Sequence, residues 1–449
     1  MFTPARLAIV RSALWLTTAI AMIPGESRAQ ALPGIEEYAR AVAGSNAPRW
    51  AGQRVDWPLE GDRPDLPIVA RAFDAPLAVH AAAGTSDAAA EAAMRGARRM
   101  HDALLARGYG RVSGDGDLGG GPELDLYLAS SSAAFTTVSD GPTPYRFLDG
   151  IVDHVVLDRS LGAARLEACA AEAYADALLA QLDPAESPAM RRSVAAALAY
   201  SESGVLDGCE DDVVSSQRRP YAGILAPGTR DAAATLFLIE LARRGDGGSG
   251  SFLRETWTMA RQRTWDGERL RGSPDLVEAI GTSARLVGGS LDRTLVDFAV
   301  SRLGIASMRL TGMPALSPDE RPPIAFEGRF DALPIRTAAH VPAIEPTGSA
   351  YARIDVAEPT DARLRVFLRG ESYARWSLVA VALDANGIER ARVRAPIEDR
   401  EPNAYLAVEL AGVRTVYVIV TNLGLERADP DVVTTNARTF SLLFDSARD

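Results

Sequence analysis

The chain predicts an α+β fold, on three observations. Residues 162–303 carry apolar side chains at helical spacing, short apolar strands precede them, and residues 349–449 alternate apolar and polar side chains with period two. Helices segregated from strands along a sequence fit α+β layers better than a repeated βαβ pattern.

The elements follow in order. Arg6 and Arg11 precede an apolar run from Ser12 to Pro24, and Ala29-Gln30-Ala31 comes next. This is the pattern of a secretory signal peptide over residues 1–31, ending at a small-residue cleavage site. The run is short for a membrane span, and no later stretch approaches the roughly 20 apolar residues a spanning helix needs. Export to the periplasm or the medium, with no transmembrane segment, is the expectation. Residues 32–66 show little periodicity and read as a lead-in.

Leu77-Ala-Val-His80 reads as a strand, and Thr85 or Ser86 caps a helix running to about Arg107. Gly108 stops it, since glycine takes the left-handed conformation at a helix C-terminus at little cost. The acidic, glycine-rich turn from Ser113 feeds a strand at Leu124–Ala129, and another strand is expected at Ile151–Asp158. A helix over 162–182 ends at Asp183-Pro184, because proline clashes with the preceding turn and has no N–H. Further helices are expected at 187–200, 229–244, 250–263, 274–286 and 290–303, with Leu236, Leu238, Ile239 and Leu241 marking a buried one.

Seven prolines from Pro314 to Pro346 mark residues 311–348 as a connector. Strands are then expected at 350–356, 363–369, 376–383, 390–395, 404–410, 414–421 and 439–445, so residues 349–449 read as an all-β sandwich. In Arg363-Leu-Arg-Val-Phe-Leu-Arg369 the apolar Leu364, Val366 and Leu368 share one face.

Composition removes several function classes. The formal net charge is −11, and about −13 without residues 1–31, a poor match to nucleic acid, whose binding draws on clustered cations. All 48 basic residues are arginine. Schiff-base chemistry, the phosphate-loop lysine and the Ser-x-x-Lys acyltransferases are therefore excluded. In an exported chain Cys169 and Cys209 most simply form one disulfide, with two buried thiols as the alternative.

The segment Cys169-Ala-Ala-Glu-Ala-Tyr-Ala-Asp-Ala-Leu-Leu-Ala-Gln-Leu182 has the frame of a zinc-peptidase helix without its histidines. In an HExxH helix the histidines stand one turn apart and hold zinc, and the glutamate is the general base. Around it lie Asp115-Gly-Asp-Leu-Gly-Gly, Leu124-Asp-Leu-Tyr-Leu, Asp183-Pro-Ala-Glu186, Gly208-Cys209, Trp265-Asp-Gly-Glu268, Ser273-Pro-Asp-Leu276, Leu291 to Val300 and Val416 to Leu423. In this order the chain resembles the secreted bacterial HExxH metallopeptidase family, a zincin-like domain with a C-terminal β-sandwich.

The resemblance implies a zincin-like domain with a helical subdomain over residues 32–310. It puts the first zinc-binding histidine at Ala171, the second at Ala175 and a third, carboxylate ligand near Ser193, with Glu202 a poorer candidate. Only Glu172 keeps its identity. A methyl group cannot coordinate zinc, so the resemblance implies a divergent member whose ancestral zinc site is lost and which needs no cofactor.

Other constellations are weaker. His80, His101, His154 and His340 are never one helical turn apart, and His80 with His154 and Glu172 would need the fold to gather them. Asp115, Asp117 and Asp125 suggest calcium, yet the twelfth position counted from Asp115 is Leu126. Glu210-Asp-Asp212 reads as an exposed acidic loop. Ser201-Glu-Ser203-Gly204 lacks the first glycine of a hydrolase elbow, and Glu172 with Asp176 is the acid pair at helical spacing. Tyr351, Tyr373, Trp376 and Tyr417 are the aromatic candidates of the sandwich, for a binding platform or for core packing. The expected function is a secreted metallopeptidase-like protein with a degenerate motif, non-catalytic, acting in binding or envelope assembly with a protein or glycan partner. The alternatives are an active hydrolase using Glu172 with other partners, or a structural, adhesive surface protein.

Overall fold

The computed structural model describes residues 62–72, 74–112, 118–142, 151–184, 186–206, 208–209, 216–224, 234–247, 250–261, 276–286, 289–304, 321–324, 326–357, 361–372, 374–397, 402–424 and 437–447. Residues 1–31, where a signal peptide was expected, and Asp115, Asp117, Glu210, Asp211, Asp212 and Tyr373 lie outside these residues. Helices and strands are both abundant, in keeping with the α+β expectation.

Strands β1 (Ile68–Ala72), β2 (Leu77–Ala81), β3 (Leu124–Ala129), β4 (Phe135–Pro142) and β5 (Ile151–Asp158) form a sheet of order β1-β2-β3-β5-β4. β2, β3 and β5 are parallel, while β1 and β4 run antiparallel at the edges. β1 and β4 were not expected: Ile68–Ala72 is short and exposed, and β4 is Thr- and Gly-bearing, so neither carries a clean apolar alternation. Leu77, Val79, Leu124, Leu126, Leu128, Val155 and Leu157 share a core with two helices, α1 (Asp87–Ala106) and α2 (Ala163–Leu182).

α1 starts at Ser86, whose side chain accepts the Ala89 N–H, and Gly108 follows its end at φ 79°. It lies close against α2 because both helices offer small residues: a Cβ at Gly96 would fall 1.9 Å from the Glu167 carbonyl oxygen. Ala173 and Ala175 of α2 are fully buried in the same core. Helices α3 (Pro188–Ser203), α4 (Thr235–Asp246), α5 (Ser251–Ala260), α6 (Leu276–Leu286) and α7 (Leu291–Ser301) follow. Ser187 caps α3 and Pro188 occupies its first turn, where a missing N–H costs nothing.

The C-terminal part is two sheets packed face to face. β6 (Phe326–Arg329), β7 (Ile335–Arg336), β8 (Ser349–Asp355), β9 (Arg363–Gly370), β10 (Trp376–Leu383), β11 (Glu389–Arg394), β12 (Asn403–Glu409), β13 (Thr415–Asn422) and β14 (Phe440–Ala447) are arranged as β11-β10-β13-β8-β6 and β12-β9-β14-β7. β6 and β7 lie in the stretch that the prolines marked as connector, so the sandwich draws on residues 326–336 as well. Each strand was too short to show a period.

Leu364, Val366 and Leu368 of β9 meet Leu378, Ala380 and Ala382 of β10 and Val416, Val418 and Val420 of β13 between the sheets. The opposite face of the β10 sheet is also covered. Tyr351, Val379, Val381, Leu383 and Ile419 join the core of the helical part, and the Tyr351 hydroxyl donates to the Ala299 carbonyl at 2.7 Å. Arg375 grips Asp292 at 2.6 and 3.1 Å, and Arg394 pairs with Asp297, so α7 is bolted to the sheet by two ion pairs.

Candidate functional site

A cavity of about 730 Å³ opens between the first half of α2 and the last turns of α3. Ala164, Ala168, Ala171, Ala196 and Ala199 make much of its wall, and Glu172 enters it as a buried carboxyl. Its size suits a small ligand, for which pockets of roughly 300–1,000 Å³ are usual. Alanine at each of these places leaves the helices in register while leaving volume unfilled. Arg99 and Glu167, paired at 2.7 Å, stand at the α1 side, and Glu202 lies 3.8 Å from Arg107 on the α3 side.

The disulfide forms one wall. Cys169 and Cys209 are bonded, with Cα atoms 4.5 Å apart, and Arg165 Nε donates to the Cys209 carbonyl at 2.7 Å. Both links hold the segment after α3 against the start of α2.

Below the cavity the helices are clamped by charge. Asp176 accepts from Arg191 Nε at 2.9 Å and from its Nη2 at 3.4 Å, with both side chains buried. With the first half of α2 and the last turns of α3 lining the cavity, and Asp176 paired with Arg191 in the other halves, α2 and α3 run antiparallel. The Ser193 hydroxyl donates to the Ala189 carbonyl at 2.7 Å and accepts the Ala234 N–H at 3.3 Å, tying α3 to the start of α4. Ala175 is completely buried in the core.

The positions implied for a zinc site therefore have three different fates. Ala171 faces the cavity, Ala175 is enclosed by packing, and Ser193 is committed to backbone groups. These residues do not fit a zinc ion, and no group of three or more His, Cys, Asp or Glu side chains among the described residues is arranged to hold a metal. Glu172 and Asp176, the acid pair at helical spacing, are divided in role, since Asp176 is held by Arg191. Ser201 and Ser203 donate to the Leu198 and Ala199 carbonyls, each at 2.9 Å, as helix serines do.

The histidines sit elsewhere. His80 contacts Asp125 Oδ1 and the Leu66 carbonyl at 2.9 Å each, and His154 Nδ1 contacts Asp140 Oδ1 at 3.0 Å. Tyr127 joins them, stacked on His80 at 4.4 Å and edge-on to His154 at 5.4 Å. Arg63 completes the cluster by pairing with both Asp125 and Asp140. Burial acts to raise the Asp140 pKa, but hydrogen bonds from His154 and Arg63 outweigh it and hold the carboxyl below its ordinary value. Strand alternation puts this cluster on the sheet face opposite α1 and α2, so His80 and His154 do not join Glu172. His101 lies 2.8 Å from the Tyr174 hydroxyl, its pKa lowered by burial, and His340 contacts the Pro342 carbonyl at 2.8 Å.

Three features were not picked out as candidate site residues from the sequence. Asp153 projects from β5 toward α2, accepts from Gln181 Nε2 at 2.8 Å, and is driven well above the ordinary carboxylate pKa by burial. An acid at the helix-facing position of an apolar strand was its one available signal. Glu186 accepts the Ser187 N–H at 3.0 Å and the Leu276 N–H at 2.7 Å, joining the starts of α3 and α6; a carboxylate is favoured there by the helix dipoles. In the sandwich, Tyr351 and Trp376 are core and Tyr417 is half-buried against the helical part, whereas Phe367 and Tyr405 are the exposed aromatics among the described residues.

No protein-family model matches the chain, and no curated protein matches it. Among solved structures it is similar over short stretches to the enzymatically active domain of tailspike protein 4 of bacteriophage CBA120, at 10% identity, TM-score 0.17, and 23% coverage of this chain and 15% of that one. It is also similar to the insecticidal delta-endotoxin Cry8Ea1 of Bacillus thuringiensis, at 13% identity, TM-score 0.15, and 26% and 20% coverage. The chain spans at most a fifth of either, an overlap that carries no functional argument.

Proposed function

We propose that this is an exported, metallopeptidase-like binding protein of zincin-like ancestry, in which the α2–α3 cavity takes a small ligand and no hydrolysis occurs. One observation carries the reading. The helix pair keeps a buried glutamate in an alanine-walled cavity, while the places of all three implied zinc ligands are methyl groups or an engaged hydroxyl. The disulfide and the absence of any described helix long and apolar enough to cross a membrane are compatible with export.

The cavity favours binding over catalysis on chemical grounds. A glutamate acting as general base needs a reaction partner held beside it, and zinc would be the usual activator of water in this frame. Without ligands for the metal, Glu172 is a buried polar anchor in an apolar space, the combination by which small-molecule sites fix orientation. The test is metal analysis with a protease assay on the mature protein. Substoichiometric zinc and no cleavage of an unstructured protein substrate are expected. Stoichiometric zinc, or cleavage abolished by Glu172→Gln, would overturn the reading and favour an active hydrolase.

A further inference from the structure

We propose that the outer face of the β12-β9-β14-β7 sheet binds an anionic polysaccharide, of the uronic-acid type, by stacking on Phe367 and Tyr405 and by ion pairing to arginine. This surface is independent of the α2–α3 cavity.

The strand registers define the surface. Tyr405 stands directly opposite Phe367, Phe367 opposite Leu443, and Leu443 opposite Arg336, a transverse row across the sheet. Three spacings of roughly 4.8 Å make the row about 14 Å long. Phe367 is 37% exposed and Tyr405 48%, and their ring centroids lie 4.7 Å apart. Along β9, Arg365 and Arg369 flank Phe367 on the same face, about 13 Å from each other at the usual strand rise.

Charge selects the ligand. Arg363 pairs with Glu409 at 2.9 Å and Arg365 with Asp445, but Arg336 and Arg369 have no acidic partner among the described residues. The face is therefore cationic in a chain of net charge −11. Arginine pairs with a carboxylate in two parallel hydrogen bonds. The negative π faces of Phe367 and Tyr405 suit the partly positive C–H face of a sugar ring.

Shape argues in the same direction. The apolar strip is one row deep, bounded by arginines, Asn403 and Ser441. A stable protein partner needs an apolar centre within about 800 Å² per side. A flat, extended, hydroxylated chain with regularly placed carboxylates needs only a shallow row of rings and cations.

The experiment is affinity electrophoresis and calorimetric titration of the full chain against polygalacturonate, with dextran as the neutral polymer. Binding to polygalacturonate, weakened by salt and absent with dextran, is expected. Phe367→Ser with Tyr405→Ser, and separately Arg336→Gln with Arg369→Gln, should each weaken it at least tenfold, with folding checked by circular dichroism. Arg390→Gln, on the other sheet, should leave it unchanged. Absence of binding, equal binding to dextran, or loss only in the arginine variants would overturn the proposal. So would a concentration-dependent dimer abolished by the same substitutions, because a second copy would then cover the face.

Discussion

The α2–α3 pair and the outer sheet of the sandwich both place charged residues among apolar ones, with opposite results. Between the helices, Asp176 and Arg191 neutralise each other out of contact with water, and Glu186 and Ser193 are used up on backbone groups. On β9 the arginines stay at the surface and their neighbours Phe367 and Tyr405 remain open. The difference teaches where each region's chemistry goes: inward polar groups hold the helices at a fixed spacing that keeps a cavity, and outward ones remain available to a partner.

Breaking the inner set has the largest expected effect. Asp176→Ala leaves Arg191 buried and uncompensated, and should lower stability by about 3–5 kcal/mol in urea titration. Replacing both residues with leucine and methionine should restore much of that, which separates a lost charge partner from lost packing. Cys169→Ser with Cys209→Ser removes a link across a sequence separation of 40 residues and should cost about 2–4 kcal/mol, against roughly 4 from loop entropy alone.

The two alanines of the motif sharpen the contrast within α2. Ala175→His overpacks an enclosed position and should cost about 1–3 kcal/mol, whereas Ala171→His has the cavity to enter and should cost less. Equal losses would show that the cavity does not discriminate between them.

Acidity probes the sheet side of α2. The folded-state pKa of Asp153 is raised above its ordinary 3.8 by burial, so the folded protein holds a proton there that the unfolded chain releases. Its contribution is fully present below about pH 3.8 and is lost as pH rises toward the folded value. Asp153→Asn should therefore stabilise the protein increasingly above that pH, with Gln181 still able to donate to the amide oxygen. Guanidinium unfolding at several pH values measures this. On the outer sheet Tyr405→Ser should change stability by no more than about 0.5 kcal/mol, since the ring is exposed.

Much of the fold was legible because the period of apolar residues differs between layers. β10 reads Trp-Ser-Leu-Val-Ala-Val-Ala-Leu and is buried at every position, while β9 alternates arginine with leucine and valine. A strand covered on both sides needs no polar face, and one at the surface does. β4, β6 and β7 were not legible, because they gain stability from pairing with β5, β8 and β14. Of the candidate site, Glu172 and the disulfide were found from the chain; the cavity and the Asp176–Arg191 clamp were not, since residues 15 apart on two helices meet only when the helices pack.

By itself the sequence determined the order of the helices and of most strands, the alanines that stand around Glu172 and the cysteines available to bond, because these depend on local spacing and residue chemistry. Tertiary structure alone decided which alanine faces a cavity, which histidines a sheet separates from Glu172, and which aromatics remain exposed. Those outcomes depend on which side chains are brought together across the chain, and every packed neighbour takes the space or the hydrogen bonds that a functional group would otherwise use.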